Sequence, residues 1–377
     1  MRLIAFILIF FSINSNPFSF AQILNNNENT NMGKLEQLLE YANTGNADGL
    51  RQLISEGSIS NYIDFGDSQG HNALITAVSK GYKNFAIILL SQQIDVNITC
   101  AHGKTALIYA ADSGYINMVS YLLAKNANPN IKINGGTTAL LQAAGKGYYS
   151  IVETLIKAKA DLRLSGIYRS GNNDGIDYNM TPLMIAAFNN HDLIVKLLLD
   201  NGSEINRINE YGANALFYAI ANGNTETAKM LLENGGDANI SATYGTYGNI
   251  TPLALASSLG DTDLISSLLI GRANINYIMN NRRTALIWAA ISSKSEAVAT
   301  LINARADLNI ADNDGKTALM FAAENGDYNS VEYLINAGAN INAVDNSSKN
   351  ALMFAMENGN LDIVDLITRV SLTSSNR

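Results

Sequence analysis

Three histidines, a single cysteine and one short acidic run are the residues whose types could do chemistry in this 377-residue chain. His71 and His102 fall on predicted turns 31 residues apart and could in principle share a metal. Two imidazoles alone make a poor site, because zinc takes about three or four protein ligands, so solvated loop histidines are the expectation. His191 follows a predicted helix stop and reads as structural. Asn172, Asn173, Asp174 and Gly175 with Asp177 carry the oxygens of a calcium loop but lack the bidentate Glu that closes one. An Asn/Asp/Gly cluster of that kind is a turn. Cys100 has no second cysteine to pair with, so no internal disulfide can form. A lone thiol could link two chains or react, but a small, partly buried residue is the plainer reading. No nucleophile stands with a base and an orienting group, and no glycine-rich phosphate loop opens a helix after a strand. The residues predict neither an enzyme nor a metal or cofactor.

The elements explain why so little chemistry is present. The stretch Thr317–Asn342, TALMFAAENGDYNSVEYLINAGANIN, recurs along the chain. A Thr-like residue, then Ala or Pro, then Leu, is found from Asn72, Thr105, Thr138, Thr181, Asn214, Thr251, Thr284, Thr317 and Asn350, and six of the eight intervals are 33 residues. Thr317 predicts a helix N-cap, Leu319, Ala322 and Ala323 an apolar face, and Gly326 a left-handed stop. Val331, Leu334 and Ile335 predict a second helix that Gly338 ends. Helices this short are marginal alone, so each pair must gain its interior from the copies on either side.

T181-P-L-M-I-A-A, the Gly after it, a Val-x-x-Leu-Leu-like helix and G338-A-N-I-N match the pattern of the ankyrin repeat, and the chain resembles that family over nearly all of residues 34–369. The resemblance implies an all-α solenoid of helix-turn-helix units with short β-hairpin loops, about ten units including caps. The chain departs from the family in its His position, filled by Ile75, Ile108, Leu141, Met184, Phe217, Ala254, Ile287, Met320 and Met353. Gln93, Asn126, Lys159, Arg272 and Arg305 replace Gly at the second helix stop, where a left-handed non-Gly residue costs on the order of 1 kcal/mol.

Residues 1–21 show one cation at Arg2, an apolar run from Leu3 to Phe11 and Ser19-Phe20-Ala21, the order of a secretory signal peptide cleaved after Ala21. An Asn-rich linker over 22–33, an N-terminal capping repeat over 34–66, repeats over 67–345, a C-terminal cap over 346–369 and a polar tail over 370–377 complete the expected organisation. The protein is therefore expected to be exported, periplasmic or extracellular, with no membrane contact after cleavage, and monomeric. Net charge is −8 and Lys and Arg form no run that could track phosphates, which argues against nucleic acid. The Asn-, Ile- and Lys-rich composition suggests an AT-rich bacterial source.

Two intervals break the period. The 43 residues from Thr138 to Thr181 place an insertion near 165–178, and the 37 from Asn214 to Thr251 place another near 241–249. Such insertions map to loops on one face of a repeat array, often the binding face. Tyr168, Tyr178, Tyr211, Tyr244 and Tyr247 fall at predicted hairpin positions, with Phe188 at a nearby helix end. Aromatic side chains give much contact energy for little entropy loss. These six are the candidate partner-binding residues; the alternative is that they only pack the loops onto the scaffold. The resemblance places partners on the concave face, so the expected function is a non-catalytic scaffold binding another protein. A factor acting on a host or neighbouring cell, or a periplasmic protein that protects or regulates an enzyme, fits the same surface.

Overall fold

A computed structural model describes residues 28–57, 59–169 and 177–374. Residues 1–27, with the expected signal peptide, lie outside it, as do 170–176 with most of the calcium-like run. Two compact units divide the chain, the first ending at Pro182 and the second running from Leu183.

In the first unit, helices pair as α1 (Glu28–Thr44) with α2 (Ala47–Ser55), α3 (Ala73–Ser79) with α4 (Lys83–Leu90), α5 (Ala106–Asp112) with α6 (Ile116–Ala124), and α7 (Ala139–Lys146) with α8 (Tyr149–Lys157). A hairpin of β1 (Gly166–Arg169) and β2 (Asp177–Met180) closes it, and α9 (Pro182–Phe188) spans the junction. The second unit continues with α10 (Asp192–Asp200), α11 (Ala215–Ala221) and α12 (Thr225–Glu233). A second hairpin, β3 (Ala242–Tyr244) and β4 (Gly248–Ile250), comes next. The remaining helices are α13 (Pro252–Leu259), α14 (Thr262–Ile270), α15 (Ala285–Ile291), α16 (Ser295–Asn303), α17 (Ala318–Asn325), α18 (Tyr328–Asn336), α19 (Ala351–Glu357) and α20 (Leu361–Ser374). α1 begins inside the expected linker, and α20 runs into the expected tail.

Seven first helices start where the marker side chain caps them. The Asn caps are short, with Asn72, Asn214 and Asn350 accepting from the third residue on at 2.8, 2.9 and 3.0 Å. Thr105, Thr138, Thr251 and Thr284 do so at 3.3, 3.3, 3.2 and 3.4 Å. Thr317 is the exception to the expected capping: its hydroxyl is buried and meets no hydrogen-bond partner. The helix begins there because its backbone is extended and α17 packs against neighbouring first helices.

Small residues let those helices close on one another: Ala143, Ala144, Ala289, Ala290, Ala322 and Ala323 are fully buried. Second helices bury one stripe, such as Ile151, Val152 and Leu155 in α8 or Leu264, Ile265 and Leu268 in α14. The left-handed stop is kept without glycine at Asn126, Lys159, Arg272 and Arg305, whose φ lies between 64° and 66°. Gln93 does not share it; the loop after α4 turns differently, with Ile94 N–H donating to Gln92 O.

Hydrogen bonds run from repeat to repeat along the loop after the second helix. The side-chain oxygens of Asn97 and Asn130 accept from Asn128 N–H and Asp161 N–H at 2.8 Å in the first unit. In the second unit Asn206, Asn239, Asn276 and Asn309 accept from Asp237, Asn274, Asp307 and Asn340 at 2.7 to 2.9 Å. Asn206 and Asn239 also donate to Gly235 O and Arg272 O, both at 3.0 Å. Asp64 takes the same place at the start of the array, and burial raises its pKa, the Asp95 N–H bond opposing the shift and the Asp95 charge adding to it. Arg163, in the same register, pairs instead with Asp161, and the run of asparagines pauses where the first insertion begins.

Candidate functional site: a row of rings and cations

The described residues hold no group of three or more His, Cys, Asp or Glu side chains converging as a metal site. His71 is instead engaged by Tyr109, its Nε2 3.2 Å from the phenol oxygen, and by Asp67, 3.6 Å from Nδ1. Cys100 is buried, its Sγ 4.0 Å from the same phenol oxygen. Burial, then the neighbouring thiol, pushes Tyr109 up to about 12. This cluster holds together two hairpin tips of the first unit and exposes no nucleophile. His191 stands at the start of α10, in keeping with a structural place.

The second insertion is anchored by rings. β3 pairs antiparallel with β4, Thr243 opposite Asn249, through a 3-10 turn at Gly245–Tyr247. Gly245 and Gly248 have φ of 48° and 66°, which lets a short turn close the hairpin. Tyr244 lies edge-on to buried Phe217 at 5.5 Å between centroids, and Tyr247 tilts against Trp288 at 5.4 Å. Phe188 meets Tyr218 edge-on at 6.0 Å, and Tyr218 meets Phe217 at 6.3 Å. Phe188, Tyr244 and Tyr247 are each half-buried. They therefore pack the loop and helix end onto the scaffold and still present part of each ring.

Tyr211 is half-buried at the hairpin tip before α11, where its carbonyl accepts from Thr243 N–H at 2.9 Å. In the first insertion Tyr168 and Tyr178 are opposite one another in the strand register. That hairpin sits on the preceding tip: Ile167 N–H donates to Gly135 O at 2.8 Å, and a Cβ on Gly166 would come within 2.6 Å of Thr137 N. Tyr168 and Tyr178 belong to the first unit and the other four candidates to the second.

Beyond Tyr247 the row continues through residues that residue type alone does not mark. The Arg283 guanidinium lies 5.4 Å from the Trp288 ring and 5.5 Å from Phe321. Lys316 lies 5.3 Å from Phe321 and 4.3 Å from Phe354, and Lys349 follows at 5.7 Å from Phe354. Each ring is four residues after a marker and each cation one before it. Cations over ring faces gain about 0.5–2 kcal/mol according to how dry they are. Lys104 and Tyr109 repeat the arrangement in the first unit at 5.0 Å.

An acid seven residues after the marker completes three of these sets. Lys104 pairs with Asp112 at 3.6 Å, Lys316 with Glu324 at 2.9 Å and Lys349 with Glu357 at 2.7 Å. The fourth set has Ile291 in that position. Arg283 is held by Asp312 through Nε at 3.3 Å, and Asp312 spends its other oxygen on the N–H groups of Asp314 and Lys316. The recurrence was available as a register of cation, ring and acid. Counting Lys and Arg by runs hid it, and a ring inside a first helix reads as core.

The arrangement offers rings, fixed cations and hydrogen-bond donors on stacked helical repeats. The family model for ankyrin repeats in three copies matches at residues 38–133, 97–166, 164–244, 244–312 and 301–374, and the chain belongs to the ankyrin-repeat family. Ankyrin repeats are protein–protein interaction scaffolds, and the fold is typically non-catalytic. Among curated proteins none matches. Solved structures with similar folds number 579 chains. One is the crystal structure of the human ASB11 ankyrin repeat domain, 25% identical, covering 58% of this chain and 92% of that one at a TM-score of 0.48. Among the described residues no helix is long and apolar enough to cross a membrane.

Proposed function

We propose that this protein is an exported, non-catalytic scaffold that binds another protein through the face carrying its hairpin tips and first helices, the concave face of ankyrin arrays. The observation that carries the reading is the second insertion, whose Tyr244 and Tyr247 are fixed on Phe217 and Trp288 while part of each ring faces outward. Rings immobilised before binding lose little entropy when a partner arrives, which is the usual character of a binding hot spot. The export half of the proposal rests on the apolar, singly charged N-terminal segment and its small residues at Ser19 and Ala21.

Replacing Tyr178 and Tyr211 together by Ala, and separately Tyr244 and Tyr247, is expected to weaken capture of the native partner by roughly 2 kcal/mol or more per pair. Helical circular dichroism should stay unchanged. Pull-downs from periplasm, medium and host extract, read by immunoblot and mass spectrometry, locate the partner. Capture unaffected by both double variants would reject the face, and protein found only in the cytosol would reject export.

A further inference from the structure

We infer that Arg283 is a receptor for a carboxylate on the partner, and that the partner segment seated there is an acidic residue bordered by an apolar one. This deepens the proposed function and rests on it. The repeat pattern marks the place: three cation-ring sets carry their own acid at Asp112, Glu324 and Glu357, and the set of Arg283 and Trp288 carries Ile291. Where those three sets close an ion pair within the repeat, this one leaves an apolar side chain and pairs its cation with Asp312 of the next repeat.

The guanidinium is prepared for an incoming acid. Trp288 and Phe321 hold it between their rings, and its side chain is 27% exposed. Asp312 takes only the Nε donor. Among the described residues the two terminal Nη groups meet no hydrogen-bond acceptor, and a planar fork of this kind matches a carboxylate through two parallel hydrogen bonds. The rings fix the orientation before binding, so little side-chain entropy is lost.

A second polar atom in the same place also wants an acceptor. Trp288 is 7% exposed, its indole N–H is buried, and no hydrogen-bond partner meets it. Indole nitrogen is a donor only, so the partner it lacks is an acceptor, which a carboxylate oxygen can supply. Tyr247 lies against the same ring, on the inserted turn. Ile291 and the exposed edge of Tyr247 supply the apolar border for the methylenes and the neighbour of the acidic residue.

Trp288 is the only tryptophan, so its emission reports on the site directly. A random-peptide library displayed against the full chain is expected to return segments enriched in Asp or Glu next to an apolar residue. A selected peptide should shift the Trp288 emission, and its binding should weaken as salt rises. Arg283→Gln removes the fork, and Ile291→Glu supplies the internal acid that the other sets have. Each is expected to lower the peptide's affinity roughly tenfold or more. Lys196→Gln, which removes one exposed cation from α10, should leave it unchanged, and circular dichroism verifies that the three variants fold. Selected peptides with no acidic enrichment, or equal affinity in both Arg283→Gln and Ile291→Glu, would overturn the acid receptor and leave the protein-binding reading standing. No peptide retained by the wild-type chain would overturn it too, with the native pull-down deciding the broader reading.

Discussion

A buried hydroxyl with nothing to bond costs stability, and Thr317 has one where seven of its counterparts have a cap. Thr284 in the preceding repeat accepts from Ile287 N–H, so Thr284→Ala should cost about 1 kcal/mol in urea unfolding. Thr317→Ala removes an unsatisfied group and should be neutral or slightly stabilising in the same measurement. Residue types predicted the caps at the other markers well, because extended backbone and a short polar side chain are local properties. They could not show Thr317 to be idle, since that depends on how its side chain sits among neighbouring repeats. The cation-ring pairs escaped for the same reason. Lys316 belongs to one repeat and Phe354 to the next, and a charge is seen as part of a row only when the repeats are aligned on their markers.

Local order was the most legible level. The 33-residue period, the two helices of each repeat and the places of both insertions follow from apolar spacing and turn residues, and the structure has helices and hairpins there. The interruptions in the period located the hairpins. They gave no sign that Tyr244 and Tyr247 would rest on Phe217 and Trp288, because those contacts cross from loop to helix. Non-glycine helix stops were legible as well, except at Gln93, where the chain turns another way. Arg305 has φ of 66° after α16 and Gly338 has φ of 90° at the matching place after α18. Arg305→Gly is therefore expected to raise stability by about 0.5–1 kcal/mol, and Gly338→Arg to lower it by a similar amount, both read from urea midpoints at constant slope.

Position in the array decides what a residue type costs. Met320 and Met353 occupy the same register in successive repeats, yet Met320 is 1% exposed and Met353 46%. A lysine at Met353 should be tolerated within about 0.5 kcal/mol, whereas Met320→Lys buries an unpaired ammonium and should cost more than about 3 kcal/mol. Thermal unfolding of the two variants side by side tests whether α19 and α20 act as the end of the stack. The asparagine joints between repeats carry a further consequence. The repeats carrying Asn239, Asn276 and Asn309 bring both halves of a joint, an amide oxygen for the next copy and a backbone N–H for the one before. A tandem duplication in frame would thus create a junction chemically identical to those already present, and an in-frame loss would heal with one. Array length can therefore change by whole copies of such repeats without requiring a new kind of joint.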